Sequence, residues 1–133
     1  TQGLPIVVPV HPRTAKNLQS LGINASNLIL CEPLGYLEFN YLVKNAKGVI
    51  TDSGGVTEET SVMNVPCITL RDNTERPETI SLGTNELVGT DPKNLPPYLE
   101  KIMAGDWKKY QEIPLWDGKT AERIVEILCQ RYS

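Results

Sequence analysis

Short continuous apolar runs alternate along the chain with longer stretches of helical spacing. Ile6-Val7-Val8-Pro9-Val10 is a β-rich run that ends at His11-Pro12. Helical spacing covers residues 14–21, with Thr14 placed to cap the start and Gly22 where a left-handed C-terminal residue belongs. Leu28-Ile29-Leu30-Cys31 is a second run, stopped by Glu32-Pro33. Residues 36–46 then put Leu37, Tyr41 and Leu42 on one helical face, with Phe39, Val43 and Ala46 alongside. A third run, residues 48–51, leads into Asp52-Ser53-Gly54-Gly55 and a short helix over 56–64. Residues 66–70 form the fourth run. A polar stretch follows over 71–78, then a brief helix ending at Gly83 and a short fifth strand over 86–88. Two helices complete the pattern. The first covers 93–103, with Pro96 and Pro97 in its first turn or at its true start. The second covers 120–131, with an apolar stripe of Ile124, Ile127 and Leu128.

Apolar strands alternating with helices of this length predict parallel β-α units, because helices cover both faces of such a sheet. The right-handed crossover preference then gives an open, doubly wound parallel sheet of the α/β class. Ligands in such sheets bind beyond the carboxyl ends of the strands, and the polar clusters above lie at those ends.

Composition narrows this little. With 133 residues, 40% of them hydrophobic and 22% charged, the chain is an ordinary globular domain. A formal charge of -3 disfavours a broad nucleic-acid footprint, so anion binding is expected only locally. Cys31, Cys67 and Cys129 each fall in an apolar segment, without a Cys-x-x-Cys pair or His/Cys cluster. They are expected to be buried, inert thiols in a reducing, cytoplasmic setting, with no metal site. Neither a membrane-length apolar run nor a signal segment is present. The chain opens on Thr1 rather than on methionine and is expected to be part of a longer protein.

Four features carry candidate chemistry. At Ser53-Gly54-Gly55 a strand feeds a tight turn and a helix. Glycines admit close backbone approach, and free N–H groups of a first helical turn suit phosphate. Glu59, one turn on, can accept from two ribose hydroxyls. Equally, Ser53 can be a plain cap and the glycines strain relief. Absence of G-x-x-x-x-G-K-[ST] disfavours a P-loop enzyme. Arg71 and Arg76, within a loop that also holds Asp72, Glu75 and Glu78, can pair with a diphosphate or with the loop's own acids. His11, the single histidine, closes the first strand and can donate to phosphate or sugar, or serve the fold. Phe39 reads as core. Glu58 and Glu59 diverge by about 100° on a helix and do not share a site.

Together these segments resemble the C-terminal domain of the non-hydrolysing UDP-N-acetylglucosamine 2-epimerases over nearly the whole chain. The matching stretches are Pro9-Val10-His11-Pro12, Glu32 to Phe39, Thr51 to Glu59, Arg71 to Glu78 and Gly83 to Thr90. Ser-Gly-Gly combined with Thr-Glu-Arg-Pro-Glu at this separation is the specific part. Two departures stand out. Arg13-Thr14 follows Pro12 where the family often has Asn-Pro, and Pro114-Leu115-Trp116-Asp117-Gly118 replaces Pro-Tyr-Gly-Asp-Gly. The resemblance implies one Rossmann-like lobe of a two-lobed, GT-B type isomerase, with residues 1–133 as its UDP-binding C-terminal domain. It implies diphosphate contacts from His11, Ser53, Gly54, Gly55 and Arg76, ribose contacts from Glu59, and a uracil contact from the backbone near Phe39. No catalytic acid or base is expected here, because these resemble residues of an N-terminal lobe that the chain lacks. UDP and UDP-N-acetylhexosamine are the expected ligands, with no cofactor. The implied full-length protein is a homodimer in cell-envelope polysaccharide biosynthesis. A hydrolysing epimerase, a GT-B glycosyltransferase or a stand-alone nucleotide-sugar sensing module are the competing readings.

Overall fold

In the computed structural model, which describes residues 3–23 and 25–132, the alternation becomes five strands and six α-helices among the described residues. Two compact units contain them, Thr1–Asn45 and Ala46–Ser133.

In the first unit β1 (Ile6–Pro9) pairs in parallel with β2 (Leu28–Cys31), Ile6 opposite Leu28 and Pro9 opposite Cys31. Helix α1 (Pro12–Ser20) begins two residues before the expected cap at Thr14. Proline needs no hydrogen bond at the first helical position, and its fixed φ suits the helix. The His11 carbonyl accepts from the N–H groups of Thr14 and Ala15, at 2.8 and 3.1 Å. Gly22 takes the left-handed φ of 65° expected of it.

Helix α2 (Tyr36–Asn45) starts on half of a capping box: Glu38 Oε2 accepts from the Gly35 N–H at 3.0 Å. Its buried residue is Val43, with Phe39, Asn40 and Leu42 half-buried. Of the face read from helical spacing, Leu42 is half-buried, while Leu37 is 81% and Tyr41 69% exposed.

In the second unit the parallel sheet has the order β3 (Val49–Thr51), β4 (Cys67–Thr69), β5 (Asn85–Leu87). Flanked on both sides, β4 is buried throughout. Ile68 packs with Val88 and Ile102, and around them lie Leu70, Leu95, Tyr98, Leu99 and Trp107. Helix α5 (Leu95–Ala104) supplies much of this layer. Its prolines mark its true start, after a 3-10 turn over Pro92–Asn94, and Gly105 closes it with a left-handed φ of 72°.

Helix α3 (Gly54–Val62) packs on a different principle. Its buried residues are Thr57, Thr60 and Ser61, whose hydroxyls donate to carbonyls one turn back in the same helix. Small, internally satisfied side chains give the helix a buried face without large apolar residues. Gly83 completes that contact, for a Cβ there would run into Ser61 Oγ and the Thr79 carbonyl.

The expectation of three buried thiols fails, and the apolar stripe of the last helix lies exposed. Helix α6 (Thr120–Tyr132) buries none of its residues, and Ile124, Ile127 and Leu128 are at least half exposed. Of the thiols only Cys67 is buried, and burial pushes its pKa up. Cys31 is intermediate, while Cys129 is exposed on α6, whose apolar stripe finds no cover.

Candidate functional site

Two connections at the carboxyl end of the β3–β4–β5 sheet build the site. The first runs from β3 into α3. Ser53 occupies the N-cap position in extended conformation, φ -89° and ψ 126°, and its side chain makes no capping hydrogen bond. Its own N–H donates to Thr51 Oγ1 at 3.0 Å. Gly54 and Gly55 are the first two helical residues rather than a turn before the helix. The helix therefore starts two residues earlier than its apolar spacing indicates, and both glycine N–H groups belong to the first turn, which has no intrahelical acceptor.

The two glycines have different surroundings. A Cβ on Gly54 would strike the Glu75 carboxylate, which pairs with Arg71 at 2.9 Å, whereas Gly55 has nothing within 4 Å of its Cβ position. Gly54 thus makes room for the loop after β4, and Gly55 faces open space. Glu75 is held below the ordinary carboxylate range by its own backbone N–H and, more weakly, by Arg71. Its contact with Arg71 persists at neutral pH and is lost only as pH falls through that lowered value.

The second connection runs from β4 into α4 (Pro77–Ser81), and Arg76 is its N-cap residue. The Arg76 Nε–H donates to Glu58 on α3, in an ion pair. Glu58 is the leading cause of an Arg76 pKa above the ordinary arginine value. Nη1 makes a long contact of 3.4 Å with the Glu75 carbonyl.

The Arg76 backbone is fixed from beneath by a buried chain of hydrogen bonds. Thr69 Oγ1 donates to Asn85 Oδ1 at 2.5 Å, and Asn85 Nδ2 donates to Thr79 Oγ1 at 3.2 Å. Thr79 Oγ1 then donates to the Arg76 carbonyl at 2.7 Å. Thr69, Thr79 and Asn85 are all 0–1% exposed, so the strands themselves set the height of the arginine.

Of the residues singled out in sequence, the structure brings Ser53, Gly54, Gly55, Glu59 and Arg76 into one unit, at α3 and the loop facing it. Glu59 is half-buried on α3. His11 and Phe39 belong to the other unit. His11 is exposed at the start of α1, its Nδ1 facing the Arg13 N–H at 3.4 Å. Phe39 is half-buried on α2, and its N–H donates to the Gly35 carbonyl at 2.9 Å. Sequence reasoning missed Glu58, Asn85, Thr69 and Thr79. Asn85 opens the short strand Asn-Glu-Leu, and nothing in that polar context signalled its role. Among the described residues no cluster of three His, Cys, Asp or Glu can hold a metal ion, and no helix is long and apolar enough to cross a membrane.

A family model described as UDP-N-acetylglucosamine 2-epimerase matches residues 1–129. The chain belongs to the UDP-N-acetylglucosamine 2-epimerase family. A relative of that name from Methanococcus maripaludis is 44% identical over 128 residues, covering 92% of this chain and 34% of the relative. Its counterpart in Escherichia coli K12 is 36% identical, covering 96% of this chain and 35% of its own length. The crystal structure of the Methanocaldococcus jannaschii UDP-GlcNAc 2-epimerase in complex with UDP-GlcNAc and UDP superimposes with a TM-score of 0.75 at 44% identity. That match covers 95% of this chain and 36% of the other. The α/β class with parallel strands expected from the strand and helix pattern is therefore that of these epimerases. The chain spans about a third of the length of the epimerases it matches.

Proposed function

We propose that this chain is the UDP-binding, C-terminal domain of a UDP-N-acetylglucosamine 2-epimerase. The observation that carries the reading is the convergence of the uncapped N-terminus of α3 and the Arg76 guanidinium on one end of the sheet. A diphosphate needs both backbone donors and a fixed cation, and a family relative was crystallised with UDP. In this reading Ser53, Gly54, Gly55, Arg76 and His11 meet the diphosphate, Glu59 accepts from the ribose hydroxyls, and the backbone near Phe39 meets the uracil.

The full-length protein then interconverts UDP-N-acetylglucosamine and UDP-N-acetylmannosamine. A base takes the proton from sugar C2 as the C1–O bond to UDP breaks. UDP adds back to C1, and a proton is delivered to the opposite face of C2. The donors assembled here stabilise departing UDP, while acid and base belong to an N-terminal lobe. The exposed apolar residues of α2 and of α6 support a larger protein around this chain. A homodimeric, cytoplasmic enzyme that feeds cell-envelope polysaccharide synthesis is part of the same proposal.

The test is that the 133-residue chain binds UDP by calorimetry and leaves UDP-N-acetylglucosamine unchanged. Turnover by the chain alone would defeat the assignment of the chemistry elsewhere. Gly55→Ala separates ligand approach from helix geometry. Because nothing lies within 4 Å of its Cβ position, the melting temperature should hold or rise, as alanine favours helix over glycine by up to ~1 kcal/mol. UDP affinity should fall roughly tenfold, equivalent to about 1.4 kcal/mol. Unchanged affinity would mean that no ligand approaches this turn.

A further inference from the structure

We infer that Glu58 is a positioning residue for nucleotide binding: it fixes the Arg76 guanidinium so that its outer edge is presented to the diphosphate. The inference rests on the UDP-binding reading above and adds a residue to it.

An arginine on a loop reaches a diphosphate in many rotamers, and most of that freedom is lost on binding. Here the backbone of Arg76 is held by Thr79 Oγ1 at 2.7 Å, but the side chain is 46% exposed. What orders it is the hydrogen bond from Nε to Glu58 Oε1. That bond uses the inner edge of the guanidinium. Nη1 touches the Glu75 carbonyl at only 3.4 Å, and the described residues give Nη2 no partner. The outer, two-nitrogen edge is thus free for bidentate phosphate contact.

Glu58 and Glu59 have separate tasks on this helix. Glu58 is committed to Arg76, while the Glu59 carboxylate makes no hydrogen bond or ion pair among the described residues and can meet a ligand. A negative charge beside a diphosphate site would otherwise be a liability. Charge and positioning therefore predict opposite results for the same substitution, which makes them separable.

The experiment uses the 133-residue chain with UDP as probe and three variants, Glu58→Gln, Glu58→Ala and Glu58→Ala in an Arg76→Ala background. Glutamine keeps an oxygen acceptor for Nε and removes the charge, so affinity should stay within about twofold of the parent or tighten. Alanine removes acceptor and charge together, and affinity should fall about 5- to 10-fold although a repelling charge has gone. With Arg76 already absent, Glu58→Ala should no longer weaken binding and should leave it unchanged or modestly tighter, because only the repelling charge is then lost. Without ligand, the arginine Nε–H NMR signal of residue 76 should be shifted and protected from exchange in the parent and Glu58→Gln proteins, and lost to averaging in Glu58→Ala. Tighter binding by Glu58→Ala, a full-sized effect without Arg76, or an Nε–H signal indifferent to Glu58 would each overturn the inference. A parent chain that binds no UDP would instead overturn the proposed function, and the ligand-free signal would still decide whether Glu58 holds Arg76.

Discussion

Asn85→Ala should lower the stability of the second unit by roughly 2–4 kcal/mol, the scale of a broken buried polar network plus the void beneath it. Asn85 is 0% exposed and is the middle of a one-way chain of donors running from Thr69 through Thr79 to the Arg76 carbonyl. Truncation leaves the Thr69 hydroxyl without its acceptor and the Thr79 oxygen without its donor, in a region closed to water. Asn85→Asp should cost at least as much near neutral pH, because an ionised carboxylate cannot donate to Thr79 and is buried without a cation. Urea unfolding followed by Trp107 fluorescence measures both, since Trp107 Nε1 donates to the adjacent Thr84 carbonyl at 2.7 Å. A loss below about 0.5 kcal/mol for Asn85→Ala, the size of an ordinary surface substitution, would show that the chain of hydrogen bonds does not hold β5 to α4.

The residues of this network explain which parts of the molecule were legible in sequence. Strands such as Cys67–Thr69 are short apolar runs between turns, and hydropathy finds them directly. Helix α5 declares itself through Pro96 and Pro97, which act on the backbone whatever surrounds them. Helix α3 is harder, since it buries Thr57, Thr60 and Ser61, and a reading based on apolar spacing cannot see a face made of hydroxyls. The same reading started it at Val56 and so placed Gly54 and Gly55 outside the helix. On α2 and α6 the pattern found genuine apolar stripes, but Leu37, Tyr41 and Ile127 lie exposed. Periodicity shows that a face is apolar, not what covers it.

The site was legible in the same uneven way. Ser53, the two glycines, Glu59 and Arg76 stood out because they lie where strands hand over to helices. Their partners did not. Glu58 looked like one of two adjacent acids, and only the fold sets it against a residue 18 positions away. Asn85 and Thr79 are six positions apart, yet their bond depends on β5 passing beneath α4. Side chains that position others carry no signature of their own, because their role is set by tertiary distance.

Arg76→Ala should weaken UDP binding by about 1.5–3 kcal/mol, the range of a hydrogen bond to a charged group, or about 10- to 150-fold. The variant also leaves Glu58 without its cation, which places an unpaired carboxylate beside the diphosphate and pushes the loss toward the upper end. Folding should be little affected, since the ion pair is exposed and such pairs contribute about 0–1 kcal/mol. Arg76→Lys keeps the charge but cannot present two parallel donors, so it should recover only part of the loss. Calorimetric titration with UDP distinguishes these outcomes. Affinity unchanged in Arg76→Ala would mean that Arg76 serves only the ion pairs of its own loop.

The central claim is that UDP binds at the start of α3, and UDP titration followed by backbone amide NMR tests it most directly. The account predicts saturable shifts in residues 53–59 and Arg76, with His11 moving along the same binding curve. Shifts confined to other surfaces, such as the cleft lined by Glu86, Tyr98 and Lys108, or no saturable shift at residues 53–59, would contradict it.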